Sequence, residues 1–260
     1  MAYKPFDLTG KVALVTGGNG GIGLGMADAL AQAGADIVVW GVNEAKNAKA
    51  RAQLEAHGVR VLAQKVDVSD EQAVIDSMAQ AVAAMGRLDT VVANAGVSGG
   101  GKSFSEHSTE TYRHVLAVNL DGVFFTLREA CRHMVDRAGK GDPGGSLIAI
   151  SSLAAVHGAA RNQAYAATKG AVLAMIRAIA VEHARYGVRA NAVLPGWIAT
   201  GMTEKNQNSE KFVANAISRV PMRRWGQPED FGGIAVYLAS DASSFHTGDG
   251  MLIDGAYAIF

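Results

Sequence analysis

The sequence predicts an α/β fold, a doubly wound parallel sheet with helices on both faces. Three observations predict it. Short apolar runs alternate with longer stretches of helical pattern along the whole chain. The runs are continuous and branched rather than alternating, as expected of parallel strands covered on both faces. The first run leads directly into a glycine-rich turn that opens a helix. Such alternation builds right-handed βαβ units.

In chain order the strands are "KVALVT" (11–16), "DIVVW" (36–40), "RVLAQKV" (60–66), "LDTVVA" (88–93), "SLIAIS" (146–151), "VRANAVL" (188–194) and "MLIDG" (251–255). Each is short and bounded by glycine or polar residues. Helical stretches fill the gaps at 22–33, 44–57, 70–85, 109–137, 163–186 and 228–239. No proline-rich linker or short-period repeat divides the chain, so residues 1–260 read as one domain. The least regular stretch is 197–220; with 197–218 as its centre, a long polar connection at a sheet's carboxyl edge reads as a substrate lid.

Composition excludes several classes. With 24 basic and 24 acidic residues the net charge is zero, which gives no footprint for nucleic acid. No uninterrupted apolar run approaches 18 residues, and the N-terminus lacks the pattern of a signal peptide, so no membrane role is expected. The one cysteine, Cys131, fits a reducing, cytoplasmic setting and reads as a packed thiol. The seven histidines are scattered, and no metal site is expected. No Gly-x-Ser-x-Gly elbow is present.

"VTGGNGGIG" (15–23) follows the first strand and opens the first helix. Gly17, Gly21 and Gly23 allow a tight turn and a close approach to a pyrophosphate, which the helix N-terminus then favours. The spacing is Gly-x-x-x-Gly-x-Gly, and no Gly-Lys-Ser/Thr follows, so this is a dinucleotide turn rather than a P-loop.

"NQAYAATKGA" (162–171) places Tyr165 and Lys169 on one helix face, four residues apart. A phenol with pKa about 10 is a poor acid–base at neutral pH. A nearby ammonium is expected to depress it towards a useful range. Alone, the pair is equally an exposed helical face.

Together, "TGGNGGIG", "NAG" (94–96), Ser152, "YAATK" and "PGWIAT" (195–200) resemble the short-chain dehydrogenase/reductase family, from about residue 8 to the C-terminus. The resemblance implies a single-domain Rossmann fold with a seven-stranded parallel sheet in the order 3-2-1-4-5-6-7. It implies Tyr165 as general acid/base, Lys169 on the nicotinamide ribose, Ser152 on the substrate oxygen and Asn119 in a water-linked proton relay. Ser151 is the alternative serine to Ser152, and strand alternation points it elsewhere. An asparagine that merely bends its helix is the alternative for Asn119. The cofactor set is Gly17, Asn19, Gly21, Ile22, Gly23, Asn43, Asp67, Val68, Asn94, Ala95, Gly96, Pro195, Gly196, Ile198 and Thr200, with Tyr165 and Lys169. Ser152, Ala154, His157, Gln163, Trp197 and Met202, with Val97, are expected to wall the substrate. His157 is equally a structural histidine at the pocket edge.

After the second strand comes "WGVNEAK". An acid there commonly takes the ribose 2′-hydroxyl of NAD, and relatives that use NADP place a basic residue next to it or in the glycine loop. Gly41, Val42 and Gly20 supply neither. An unpaired 2′-phosphate needs a cation, and Lys46 reads as a residue of a solvated helix face, so NAD is expected, with NADP as the alternative. The reaction implied is hydride transfer between nicotinamide and a secondary alcohol or ketone. Relatives include sugar-acid and polyol dehydrogenases, steroid and terpene alcohol enzymes, and 3-oxoacyl-carrier reductases; the long segment 136–146 departs from the last. A non-catalytic dinucleotide sensor is the alternative from another class. The family's long helix pairs and the apolar "AYAIF" ending imply a homotetramer or homodimer.

Overall fold

The structure, a computed structural model, describes residues 3–260. Seven parallel strands form one sheet: β1 (Val12–Thr16), β2 (Asp36–Gly41), β3 (Val61–Lys65), β4 (Thr90–Ala93), β5 (Gly145–Ile150), β6 (Val188–Pro195) and β7 (Gly250–Ile253). Their order is β3-β2-β1-β4-β5-β6-β7, as the resemblance implied. The chain winds outward one way from β1 and the other way from β4. Between those strands the order reverses, and a crevice opens beyond their carboxyl ends.

The helices are α1 (Gly21–Gln32), α2 (Glu44–Glu55), α3 (Glu71–Met85), α4 (Thr109–Leu116), α5 (Gly122–Gly139), α6 (Gln163–His183), α7 (Glu204–Gln207), α8 (Glu210–Ala216) and α9 (Gly232–Ala239). Local chemistry sets their ends. Asn43 caps α2 by accepting from Lys46 N–H at 2.9 Å, and Asp70 caps α3 by accepting from Ala73 N–H at 3.1 Å. Gly86, at φ +86°, ends α3 in the left-handed region.

The core lies in two layers, one on each sheet face. One joins Val12, Leu14, Trp40 and Val91 to Met78 of α3, Leu127 of α5 and Val172 of α6. The other joins Ala13, Val15, Ile37 and Val39 to Leu30 of α1, Leu54 of α2 and Leu238 of α9. Successive strand residues thus feed opposite layers, which is why the strands read as unbroken apolar runs.

The structure corrects one expectation. The stretch 109–137 is not one helix: a π-helical turn at Ala117–Asp121 separates α4 from α5. Such a turn inserts an extra residue into the helical repeat and is frequent at functional sites. The segment Gln163–Tyr186 is long and apolar enough to cross a membrane by length and composition. Its alanines and aliphatic residues reach that hydropathy, while Lys169, Arg177 and Glu182 interrupt the apolar run. It is the helix that packs on β6 and bears Tyr165 and Lys169.

Candidate active site

The glycine turn and the "NAG" segment meet in the crevice. Gly17 and Gly21 have φ of +63° and +52°, conformations glycine adopts without penalty. A Cβ on Gly23 would lie 2.5 Å from Gly17 O, so only hydrogen fits there. Thr16 ties the two segments together: its Oγ1 accepts from Asn94 N–H and Ala95 N–H, each at 2.9 Å. Asn94 Nδ2 donates back to Thr16 O at 2.9 Å. Thr200 lies across the turn, with its Cγ2 3.3 Å from where a Gly21 Cβ would stand. Pro195 ends β6, Gly196 abuts Asp254, and Ile198, 4% exposed, pairs by a β-bridge with Gly226. Ile22 is partly buried on the first turn of α1. These residues form one cradle of backbone and small side chains, the form a pyrophosphate and two riboses require.

Asp67 and Val68 lie beyond β3 at the adjoining corner. Asp67 Oδ1 accepts from Ser69 N–H and Oγ–H, at 3.0 and 2.7 Å, which orders the turn into α3. Val68 is buried against Gly122. The side-chain oxygen of Asn43 caps α2.

Ser151 and Ser152 follow β5 and diverge. Ser151 is buried, and its Oγ donates to Lys169 O at 2.9 Å. Ser152 turns into the crevice and accepts from Ala154 N–H at 3.1 Å. It stands beside Tyr165, and the two influences on that phenol oppose one another. Burial raises its pKa above the ordinary value, while the hydroxyl of Ser152 lowers it. The expected depression by Lys169 is absent. Lys169 Nζ sits 5.4 Å from the centre of the Tyr165 ring, over its face rather than at its oxygen. Burial also pulls Lys169 down to about 8, which weakens the charge it offers.

Lys169 is 3% exposed, and its single hydrogen bond runs from Nζ to Ile150 O at 2.7 Å. An ammonium has three donors. The missing side chain of Gly96 leaves space in front of it: a Cβ there would stand 3.6 Å from Lys169 Nζ and 3.3 Å from Asn119 Oδ1. A buried cation with unused donors beside a cleared space fits a ribose diol.

Asn119 lies in the π turn, fully buried. Its amide clasps one residue at both ends, accepting from Val97 N–H and donating to Val97 O, each at 2.8 Å. The side chain thereby holds the turn after "NAG".

Three buried side-chain atoms among the described residues have no hydrogen-bond partner: His107 Nε2, Asn162 Oδ1 and Gln163 Oε1. The segment of Asn162 and Gln163 packs on residues 98–101. Gly101 N–H donates to Arg161 O at 3.1 Å, and Asn162 Nδ2 donates to Ser98 Oγ at 3.4 Å. Arg161 holds a left-handed φ of +62° just before them. Gln163 was foreseen as a wall residue; His107 and Asn162 were not, and no spacing in the sequence marks them. Ala154 is partly buried and Met202 is 50% exposed, while His157 is exposed. Trp197 packs edge-on against Phe212 at 4.9 Å, with Trp225 and Tyr257 beyond. Trp197, Phe212 and Tyr257, with Arg219, line a pocket of about 450 Å³. A larger open groove of about 860 Å³ runs between α1 and α9 and includes none of Ser152, Tyr165 or Lys169.

A dinucleotide crevice with a partly buried serine and tyrosine and a buried lysine at its edge defines a nicotinamide-dependent oxidoreductase on a Rossmann fold. The chain belongs to the short-chain dehydrogenase/reductase family. The family model described as enoyl-(acyl carrier protein) reductase matches residues 17–258. Gluconate 5-dehydrogenase of Gluconobacter oxydans (strain 621H) is 35% identical over 254 residues, covering 98% of this chain and 97% of that one. 2-Dehydro-3-deoxy-D-gluconate 5-dehydrogenase of Bacillus subtilis (strain 168) is 38% identical over 256 residues, covering 98% and 97%. The structure of a gluconate 5-dehydrogenase from Burkholderia cenocepacia J2315 in complex with NADP and tartrate aligns with a TM-score of 0.91 at 33% identity, over 97% of each chain. This protein is an oxidoreductase of the alcohol–ketone class that uses a nicotinamide dinucleotide.

Proposed function

We propose that the protein interconverts a polyhydroxylated secondary alcohol, of the sugar-acid or polyol kind, and its ketone, with NAD as the preferred cofactor. The observation that carries the reading is Lys169, a buried ammonium with one protein partner, beside Tyr165 and Ser152. Bound nicotinamide supplies the hydride acceptor or donor. Lys169 holds the ribose hydroxyls with its remaining N–H groups. Ser152 orients the substrate oxygen. Tyr165 exchanges the proton at that oxygen, giving it in ketone reduction and taking it in alcohol oxidation.

Burial keeps Tyr165 protonated at neutral pH. That favours its acid role there and makes oxidation rise with pH, until Lys169 loses its charge above about 8. The unpartnered amide oxygens of Asn162 and Gln163 support a substrate with several hydroxyl groups. Sugar-acid dehydrogenases among the relatives support the same class. For the cofactor, Gly20, Gly41 and Val42 bring no cation to the 2′ position, and Glu44 opens α2 with a negative charge. The segment 197–218, with α7 and α8, serves as the lid. Exposed Phe124, Val181, Leu252, Ile259 and Phe260 support a homotetramer, in which such apolar side chains are covered.

Absorbance at 340 nm tests this, with NAD and NADP in parallel against sugar acids, polyols, simple secondary alcohols and 3-oxoacyl thioesters. Turnover of a polyol or sugar acid is expected, with Tyr165→Phe losing more than about 100-fold in kcat. Tight cofactor binding with no turnover of any substrate class, and no effect of Tyr165→Phe on any measured activity, would favour a dinucleotide sensor instead.

A further inference from the structure

The corner where the cofactor's 2′ position would lie contains a hydrogen-bond chain that ends at the glycine loop. Asn47, on α2, is 4% exposed. Its side-chain nitrogen is 2.8 Å from Gly41 O and 3.1 Å from Gln64 O. Carbonyl oxygens only accept, so the Asn47 NH2 must face them. The Asn47 oxygen is thereby turned towards the glycine loop, where it accepts from Asn19 Nδ2 at 2.7 Å. Asn19 must then give N–H to Asn47 and turn its own oxygen outward. That oxygen accepts no hydrogen bond from the described residues and is not buried.

Gly41 makes the arrangement possible. A Cβ at Gly41 would overlap the Asn19 amide and stand 2.7 Å from Asn47 Oδ1. The Asn19 amide therefore fills the space that an acidic side chain at the end of β2 would need.

We infer that Asn47 is a positioning residue for cofactor choice: it locks Asn19 with a carbonyl oxygen towards the ribose 2′ position, selecting a 2′-hydroxyl over a 2′-phosphate. A hydroxyl can donate to that oxygen, whereas phosphate oxygens are acceptors and meet it unfavourably. The inference rests on the dinucleotide reading of the crevice. It adds a neutral, indirect determinant where the sequence shows neither the acid nor the cation that usually decides the choice.

Fluorescence titration with NADH and with NADPH tests it on the full-length wild type, Asn19→Ala, Asn47→Ala and the double variant, with thermal melting as the check on folding. NADH is expected to bind at least tenfold more tightly than NADPH to the wild type. Each single variant should cut that ratio by about five- to tenfold, the size of one hydrogen bond. The double variant should fall no further than Asn19→Ala, because both changes break one chain. If Asn47→Ala does not fold, Gly41→Ala should displace the Asn19 amide and cut the ratio likewise.

Equal loss of both affinities in Asn47→Ala, with the ratio kept, would make Asn47 merely structural and overturn the inference. Multiplying effects in the double variant would overturn it too, since the two residues would then act separately. A wild type that prefers NADPH would overturn the NAD reading and this lock together. Failure to bind either dinucleotide would instead remove the reading on which both rest.

Discussion

At the amino edge of the sheet Asp89, 7% exposed, has both oxygens committed; at the carboxyl edge Lys169, 3% exposed, has one partner for three donors. Asp89 accepts from Val12 N–H at 2.9 Å and from Arg87 at 2.6 to 3.1 Å, with Arg137 at 3.4 Å. Arg137 in turn donates to Leu88 O and to Asp142. That network closes the ends of β1, β4 and β5 and leaves little for a ligand to bind. Lys169 is buried at a similar depth but left short of partners. Where the chain satisfies a buried charge it is holding structure. Where it leaves donors unused, the charge is kept for something that binds.

Breaking the saturated side should show in stability alone. Asp89→Ala leaves Arg87, Arg137 and Val12 N–H short of an acceptor, and is expected to cost about 3–5 kcal/mol. Calorimetry should record a Tm lower by roughly 10 °C, with kcat unchanged in the folded fraction. A loss of kcat at normal Tm would contradict the contrast.

The unsaturated side should behave in the opposite sense. Burial lowers Lys169 from 10.5 to about 8, so its charged form is disfavoured in the folded chain relative to the unfolded one. The penalty for the charged form is absent above 10.5, grows as pH falls, and is complete below about 8. Each unit is about 1.4 kcal/mol, and the lost bond to Ile150 O offsets about 1 kcal/mol. Lys169→Met, measured without cofactor at pH 7, should therefore raise Tm by roughly 5 °C. Activity should fall by more than about 100-fold. A destabilised variant would mean that Lys169 is as well satisfied as Asp89.

The smallest effect concerns His133, beside the amino-edge network. Its Nε2 accepts from Leu88 N–H at 3.1 Å, so it must be neutral there. Burial, followed by the charge of Arg137, depresses its pKa below 6.5. A depressed histidine contributes stability above the unfolded value and loses it as pH falls through 6.5. The depressed carboxyls Asp28, Asp142, Asp230 and Asp249 lose theirs only below 3.8. Between pH 7 and 4.5, Tm should fall by a further roughly 2 °C in the wild type compared with His133→Gln. Parallel curves would remove His133 as the cause.

Much of the site was legible in the sequence because it is local. The glycine turn, the "NAG" turn and the Tyr165–Lys169 pair each depend on residues within one or two helical turns, and the structure brings all of them to one crevice. The strand runs were legible for a related reason: residues that feed two apolar layers leave no polar gap. What the sequence left unread depends on backbone geometry and on distant partners. The π turn at 117–121 has no compositional mark. Thr16, Asn47, His107 and Asn162 are ordinary in sequence and acquire meaning only from neighbours up to 79 residues away.

The sequence alone determined the order of the strands along the chain and the phosphate turn, because periodicity and glycine placement act over short range, and its ordered motifs carried the resemblance that implied the reaction. Tertiary structure alone decided the electrostatics. Whether a phenol is raised or lowered, whether an ammonium is satisfied, and which way an amide points depend on burial and on partners contributed by distant strands. Tyr165 shows the division plainly. Its place opposite Lys169 follows from four residues of helix, whereas its raised pKa follows from the walls that the rest of the fold puts around it.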